Sequence, residues 1–375
     1  MILKVAYKVF SVFLVLSLGS YLDYTSAVPR KLPASDLLRY EDSDGKVKLI
    51  AKPEGWALRR STVVSGMEKI MGNFPEDQHR VSLDIEIEEE VDRGDYIQQL
   101  VTFQSEHNSR IPAYLCLPKG VITNSDKMNT KKKAKAVLCL HPTDKSVGHK
   151  VVVGLGGRKG RAYAAELAER GYVTISPAYP LMANYWPNLD ELGYISGTMK
   201  AIWDNSRALD LLDSLTFVDS TRGYAAIGHS LGGHNAIYTA IFDKRIQVIV
   251  TSCGFDAFED YYGGSEENWY LGRGWCQNRY MPMLSNYRGR LAQIPFNFPE
   301  ILGALAPRPV FINAPLRDSN FSWESVDKCV SAARSVYSLL GAEKNLIVKH
   351  PDVDHSFPEK TRIEAYQLID SILLH

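Results

Sequence analysis

The chain has no excess of either charge: 43 Lys and Arg stand against 43 Asp and Glu in 375 residues. No global field therefore favours nucleic acid or an acidic surface as partner. Cysteine is scarce and odd in number, five in all, which excludes a scaffold built on disulfides. Cys116, Cys139 and Cys253 fall in apolar runs, where cysteine acts as a small hydrophobe. Only Cys276 and Cys329 are left as a candidate pair. No cluster of histidine and cysteine has zinc spacing, and Asp42-Ser43-Asp44-Gly45 is too short for a calcium loop.

The glycine-rich run Gly154-Leu155-Gly156-Gly157-Arg158-Lys159-Gly160 fails as a nucleotide loop. A dinucleotide fingerprint needs glycine where Lys159 stands, and a P-loop needs Ser or Thr where Gly160 stands. A flexible turn into a helix is the reading that remains, and no cofactor or metal is expected. No apolar run reaches the ~20 residues of a membrane span, and neither an internal repeat nor a low-complexity segment is present.

What is present begins with a leader. Lys4 and Lys8 precede the short apolar run Val9–Leu18, and Thr25-Ser26-Ala27 follows. That order describes a secretory signal peptide over residues 1–27 and a secreted or periplasmic protein with no membrane contact after cleavage. The lysines at 131–133 follow the polar stretch 123–130 and read as a solvated loop. Residues 28–80 form a polar, helix-prone lead-in, with helices over Trp56–Arg60 and Val63–Met71 stopped by Gly72-Asn73 and Pro75. Three strand-like runs follow, Val81–Ile87, Tyr96–Phe103 and Ile111–Leu117, separated by turn residues and predicting an antiparallel meander.

From Ala136 the pattern alternates. Apolar strands at Ala136–Leu140, Tyr172–Ile175, Tyr224–Ile227, Val248–Val250, Pro309–Ile312 and Asn345–Lys349 are interleaved with helices at Arg158–Arg170, Ser196–Leu215, Gly233–Phe242, Trp323–Leu340 and Lys360–Leu374. Strands with no polar face predict a mostly parallel sheet with helices on both faces. The catalytic domain is expected over residues 81–375. Residues 254–300 interrupt the alternation with eleven aromatic residues among glycines. An irregular connection that long reads as a lid-like insertion, walling a cleft or packing its own small core.

The chemistry centres on Gly228-His229-Ser230-Leu231-Gly232 between an apolar strand and a helix. A serine on so sharp a turn is held clear of the sheet as a nucleophile. A serine hydroxyl needs a base, and the base an orienting acid; in this architecture the order is serine, acid, histidine. Asp318 lies just beyond the strand that follows the insertion, and His355 in the loop after the next strand. Asp256, after the strand following the elbow, is the rival acid; Asp352 and Asp354 sit too near His355 along the chain. His350 is the rival base, and His229 and His234 flank the serine too closely to serve easily. The amide of Leu231 at the helix start is one oxyanion donor. The second is expected from His141-Pro142-Thr143-Asp144, at Thr143 because proline has no N–H. A histidine base must be neutral, so activity should fall below about pH 6.5.

The run 228–234 with Asp318 and His355 in order resembles the α/β-hydrolase superfamily. The leader, Met71-Gly72-Asn73 and Met199–Asn205 are similar to its secreted bacterial branch of dienelactone-hydrolase-like and acetyl-xylan-esterase-like proteins. The likeness covers nearly everything after residue 50. It implies the α/β-hydrolase fold, Ser230 as nucleophile, His355 as base and Asp318 as acid. It also implies a secreted serine hydrolase of carboxylic esters, with small-molecule or plant-polysaccharide acyl esters as substrate. A serine peptidase, a lactonase and a non-catalytic binding module stay open as alternatives. His141-Pro142-Thr143 departs from the commoner His-Gly of the superfamily.

Overall fold

The computed structural model describes residues 32–122 and 133–375. The expected leader and the segment 123–132 lie outside them. Strands of the main sheet are Glu86–Asp92 (β1), Tyr96–Glu106 (β2), Ser109–Pro118 (β3), Ala136–Leu140 (β4), Val173–Pro177 (β5), Tyr224–His229 (β6), Ile246–Ser252 (β7), Val310–Asn313 (β8) and Leu346–Lys349 (β9). Their spatial order is β1-β2-β3-β5-β4-β6-β7-β8-β9. β1, β2 and β3 pair antiparallel, as does β3 with β5; every pairing from β5 to β9 is parallel. The strands of the parallel half are buried from β4 through β8, with only Gln247 of β7 partly exposed, as strands of a two-sided sheet must be.

Strand periodicity divides the core in two. Val137 and Cys139, Ala225 and Ile227, Val248 and Val250, and Phe311 share one face with the helices Tyr163–Glu169 (α2) and Glu359–Leu373 (α7). Their neighbours Leu138, Leu140, Ala226, Ile249 and Ile312 face the other way. There they share the larger core with Pro53–Met71 (α1), Gly197–Ser214 (α3), Leu231–Phe242 (α4), Phe298–Leu305 (α5) and Trp323–Leu339 (α6).

Three expectations shift. The first strand begins at Glu86, because Asp84 takes φ +43° and interrupts the extended chain before it. β1 is an edge strand with a bulge between Ile87 and Glu89, and nearly all of it is exposed. The two helices of the lead-in are one, α1, joined to the core by the buried Arg59–Glu300 ion pair and accompanied by a hairpin of Arg39–Glu41 with Val47–Leu49. The helix expected from Arg158 starts only at Tyr163, since Gly160 has φ +74°. All five cysteines are free and buried.

The insertion does both things its composition allowed. Phe258, Trp269, Phe296 and Phe298 pack edge to face within it, while Tyr261, Tyr262, Trp275 and Tyr280 line a cavity. It also closes the start of α3. The side chain of Ser196 accepts the Met199 N–H at 3.0 Å, and the carbonyls of Asn278 and Tyr280 accept the N–H groups of Gly197 and Thr198.

Candidate active site

Ser230 stands between β6 and α4 with φ +55° and ψ −122°. This is a sparsely populated backbone state for a residue with a Cβ, of the kind stored at functional turns. Neighbouring contacts hold it: the Ser230 N–H donates to the Ser252 carbonyl on β7 at 2.7 Å, and its carbonyl accepts from His234 at 3.0 Å. The turn demands its glycines. A Cβ on Gly228 would lie 2.1 Å from the Gly232 carbonyl carbon, and one on Gly232 would lie 1.9 Å from the Leu140 oxygen.

Asp318 follows β8 and His355 follows β9, and the structure brings them together. His355 Nδ1 lies 2.9 and 2.8 Å from the two carboxylate oxygens of Asp318. The Asp318 side chain is buried, and that of His355 is partly exposed. Oδ1 of Asp318 also accepts the N–H groups of Asn320 at 2.8 Å and Phe321 at 3.3 Å. With Nδ1–H committed to a carboxylate, the remaining ring nitrogen is the one left to accept a proton. His355 and Ser230 line the same cavity, of about 710 Å³.

The loop carrying His355 is clamped by groups that sequence reading missed. Arg161 Nη2 donates to the carbonyl of His355 at 3.0 Å, Asn313 Nδ2 to that of Ser356 at 2.9 Å, and Arg362 Nη1 to that of Phe357 at 2.7 Å. Three consecutive carbonyls outside any strand thus find donors, as buried backbone requires. Arg362 is fixed in turn by Glu166 on α2, at 3.0 and 2.9 Å.

Leu231 and Thr143, the expected oxyanion donors, both lie on the cavity wall. The loop bearing Thr143 is anchored through His141. Its Nδ1 donates to the Pro142 carbonyl at 2.8 Å, and its Nε2 accepts the Tyr179 N–H at 3.0 Å. Burial lowers His141 to about 4, so the ring stays neutral and this tautomer persists. The Thr143 hydroxyl meets that of Tyr280 from the insertion at 3.1 Å.

The rivals are placed elsewhere. Asp256 is engaged away from His355: one oxygen accepts the Ser322 N–H at 3.1 Å, and among the described residues no side-chain partner is seen for the other. Burial, reinforced by Asp260 and Asp318, pushes it up to about 8. His350 spends both nitrogens, on the Ala314 carbonyl at 2.7 Å and on Asp327 at 2.9 Å. Asp352 pairs with Arg317, and Asp354 accepts the Ser356 hydroxyl. His234 is stacked between Tyr238 and Trp275, at 4.1 and 4.2 Å. His229 sits edge-on to His355 at 4.8 Å, with Nδ1 on the Ser252 hydroxyl. Among the described residues the one group with metal-ligand proximity is His229, Cys253 and His355. His355 is committed to Asp318 there, and burial keeps the Cys253 thiol protonated, so the trio reads as packing.

A family model for glucuronyl esterases of fungi matches residues 189–341. A 4-O-methyl-glucuronoyl methylesterase of Sodiomyces alcalophilus is 25% identical over 175 residues, 42% of this chain. That match spans about a third of the relative's own length, 34%. The glucuronoyl esterase of Solibacter usitatus superposes with TM-score 0.68 at 17% identity, covering 91% of this chain and 98% of that one. A glucuronoyl esterase from Caldicellulosiruptor kristjansonii gives 0.64 at 17% identity over 92% and 91%. These likenesses show that the chain has the α/β-hydrolase fold.

Proposed function

We propose that the protein is an exported serine hydrolase that cleaves carboxylic esters of plant polysaccharides through an acyl-enzyme on Ser230. The observation that carries this reading is the buried Asp318 carboxylate bonded to His355 Nδ1 in the cavity that holds a strained elbow serine. The Ser230 oxygen attacks the ester carbonyl as the free nitrogen of His355 takes its proton. Asp318 holds the ring and offsets the imidazolium charge, and the N–H groups of Leu231 and Thr143 receive the oxyanion. The protonated ring then gives its proton to the leaving alcohol. Water, deprotonated by the same ring, frees the acid and restores Ser230.

The names of the matched proteins favour an ester whose acid part is a uronic acid, so that the sugar sits on the acyl side. Aromatic side chains on the cavity wall suit a sugar face. Export rests on the leader at residues 1–27; no described helix is long and apolar enough to cross a membrane.

The test is labelling by a fluorophosphonate probe together with hydrolysis of an aryl acetate and of a methyl glucuronate ester. Ser230→Ala should abolish all three. Labelling that survives Ser230→Ala, or no labelling of the wild type, overturns the assignment and favours a binding module.

A further inference from the structure

The glycine-rich segment that matched no nucleotide motif forms part of the cavity wall. Gly154, Gly156, Gly157 and Gly160 have φ of +79°, +121°, +79° and +74°. At Gly160 a Cβ would lie 2.9 Å from Arg362 Nη1 and 3.2 Å from the Phe357 oxygen. Only glycine lets the segment close against the loop of His355. Gly157, Arg158 and Arg161 thereby come to line the cavity that holds Ser230.

The two arginines differ. Arg161 is buried and its Nη2 is spent on the His355 carbonyl. Arg158 is exposed, and among the described residues no hydrogen bond or ion pair holds its guanidinium; Asp354 feels its charge only at a distance. The one carboxylate on the described cavity wall, Asp144, is turned into its own turn. It accepts the N–H groups of Ser146 and Val147 and the Ser146 hydroxyl. A free surface arginine is ordinary. One that stands with no hydrogen-bonded or ion-pair partner among the described residues, on the wall of the cavity holding the nucleophile, is available to pair with an anion there. The same wall carries Phe321 and Tyr262, the latter half-exposed with φ +48°, a strained state for a bulky residue and one met at binding sites.

We infer that Arg158 makes the cavity selective for esters carried on acidic saccharides, pairing with a free carboxylate or a sulfate on a sugar beside the ester. The guanidinium fork matches either anion in two-point geometry. This rests on the esterase reading above and narrows its substrate class: a chain with charged groups left along it, in preference to a neutral one.

The experiment uses aryl acetate hydrolysis as reporter, with trigalacturonate, a sulfated galactose oligosaccharide and neutral xylotriose as competitors. At least one anionic competitor should inhibit at lower concentration than xylotriose, and the stronger of the two identifies the anion. Arg158→Gln should raise its inhibition constant about fivefold, the scale of one exposed charge pair. Arg158→Lys should recover part of the effect, and Lys159→Gln, off the cavity wall, should not move it. Added salt should weaken the anion and spare xylotriose. No preference for either anion over xylotriose, or a preference untouched by Arg158→Gln, overturns the inference. Calorimetry of the same oligosaccharides with the wild-type protein needs no turnover, so the anion preference is read separately should the esterase reading fail.

Discussion

Replacing Asp318 and Asp256 in parallel by asparagine separates an orienting carboxylate from a buried bystander. Asp318→Asn keeps an acceptor oxygen for the N–H groups of Asn320 and Phe321, so the loop should fold as before. The charge facing the 2.8 Å contact with His355 Nδ1 is lost, and the ring is free to adopt the wrong tautomer. In triads of this logic such a change lowers turnover by ~10⁴, or ~5.5 kcal/mol at 1.36 kcal/mol per decade. Asp256→Asn should leave turnover within about threefold at pH 7, because that carboxyl, pushed up to about 8, already holds its proton there and the amide replaces it shape for shape. Steady-state hydrolysis of an aryl acetate reads both. A ~10³ loss in Asp256→Asn with a mild Asp318→Asn would refute the assignment of roles.

Asp256 adds a stability signature of definite sign. Burial holds its carboxyl up at about 8 in the folded protein, against the ordinary carboxylate value of 3.8. Between those values the native state holds the proton that the unfolded chain releases, so stability is greatest below 3.8 and is lost as pH rises through 8. From pH 5 to pH 8 the wild type should lose about 4 kcal/mol relative to Asp256→Asn, three pH units at 1.36 kcal/mol each. Urea unfolding of the two proteins across that range measures it, and parallel curves would show that the carboxyl is not held neutral.

Two further changes test the frame. Gly232→Ala places a Cβ 1.9 Å from the Leu140 oxygen, so the elbow and the strand feeding Thr143 must separate by more than about 1 Å. A displacement of that size costs ~10² in turnover, while Gly341→Ala, with φ +68° and open space, should lower stability alone; equal rates of probe labelling in Gly232→Ala and wild type would contradict this. Arg59→Met leaves the buried carboxylate of Glu300 without its guanidinium and should cost 3–5 kcal/mol in urea unfolding, the usual scale for breaking a buried pair; a smaller loss would mean that the lead-in helix is peripheral.

Much of the frame was legible because burial writes itself into periodicity. The apolar runs Ala136–Leu140, Tyr224–Ile227 and Val248–Val250 read as strands covered on both faces, and the glycines around Ser230 as a tight crossing. The positions of Asp318 and His355 followed from chain order, since open parallel sheets gather their loops at one end. The clamp of Arg161, Asn313 and Arg362 was not legible, because its acceptors are backbone carbonyls, which every residue has and no side chain announces. The helix drawn from Arg158 failed for a related reason. Its composition suits a helix, but Gly160 is spent on a tertiary approach to Arg362, and tertiary need overrides propensity.

The same clamp explains how a strained turn is kept in place. Ser230 and Cys253 both have positive φ, +55° and +49°, at the ends of adjacent strands β6 and β7. Such residues cost ~1–3 kcal/mol each and persist only where their surroundings over-determine them. Here the backbone ties run in series: Ser230 N–H to the Ser252 carbonyl at 2.7 Å, then Cys253 N–H to the Asn313 carbonyl at 2.8 Å. Asn313 completes the chain, donating through Nδ2 to the Ser252 hydroxyl at 2.8 Å and to the Ser356 carbonyl at 2.9 Å. The elbow, the strand that leads to Asp318 and the loop that carries His355 are thus joined through one buried amide.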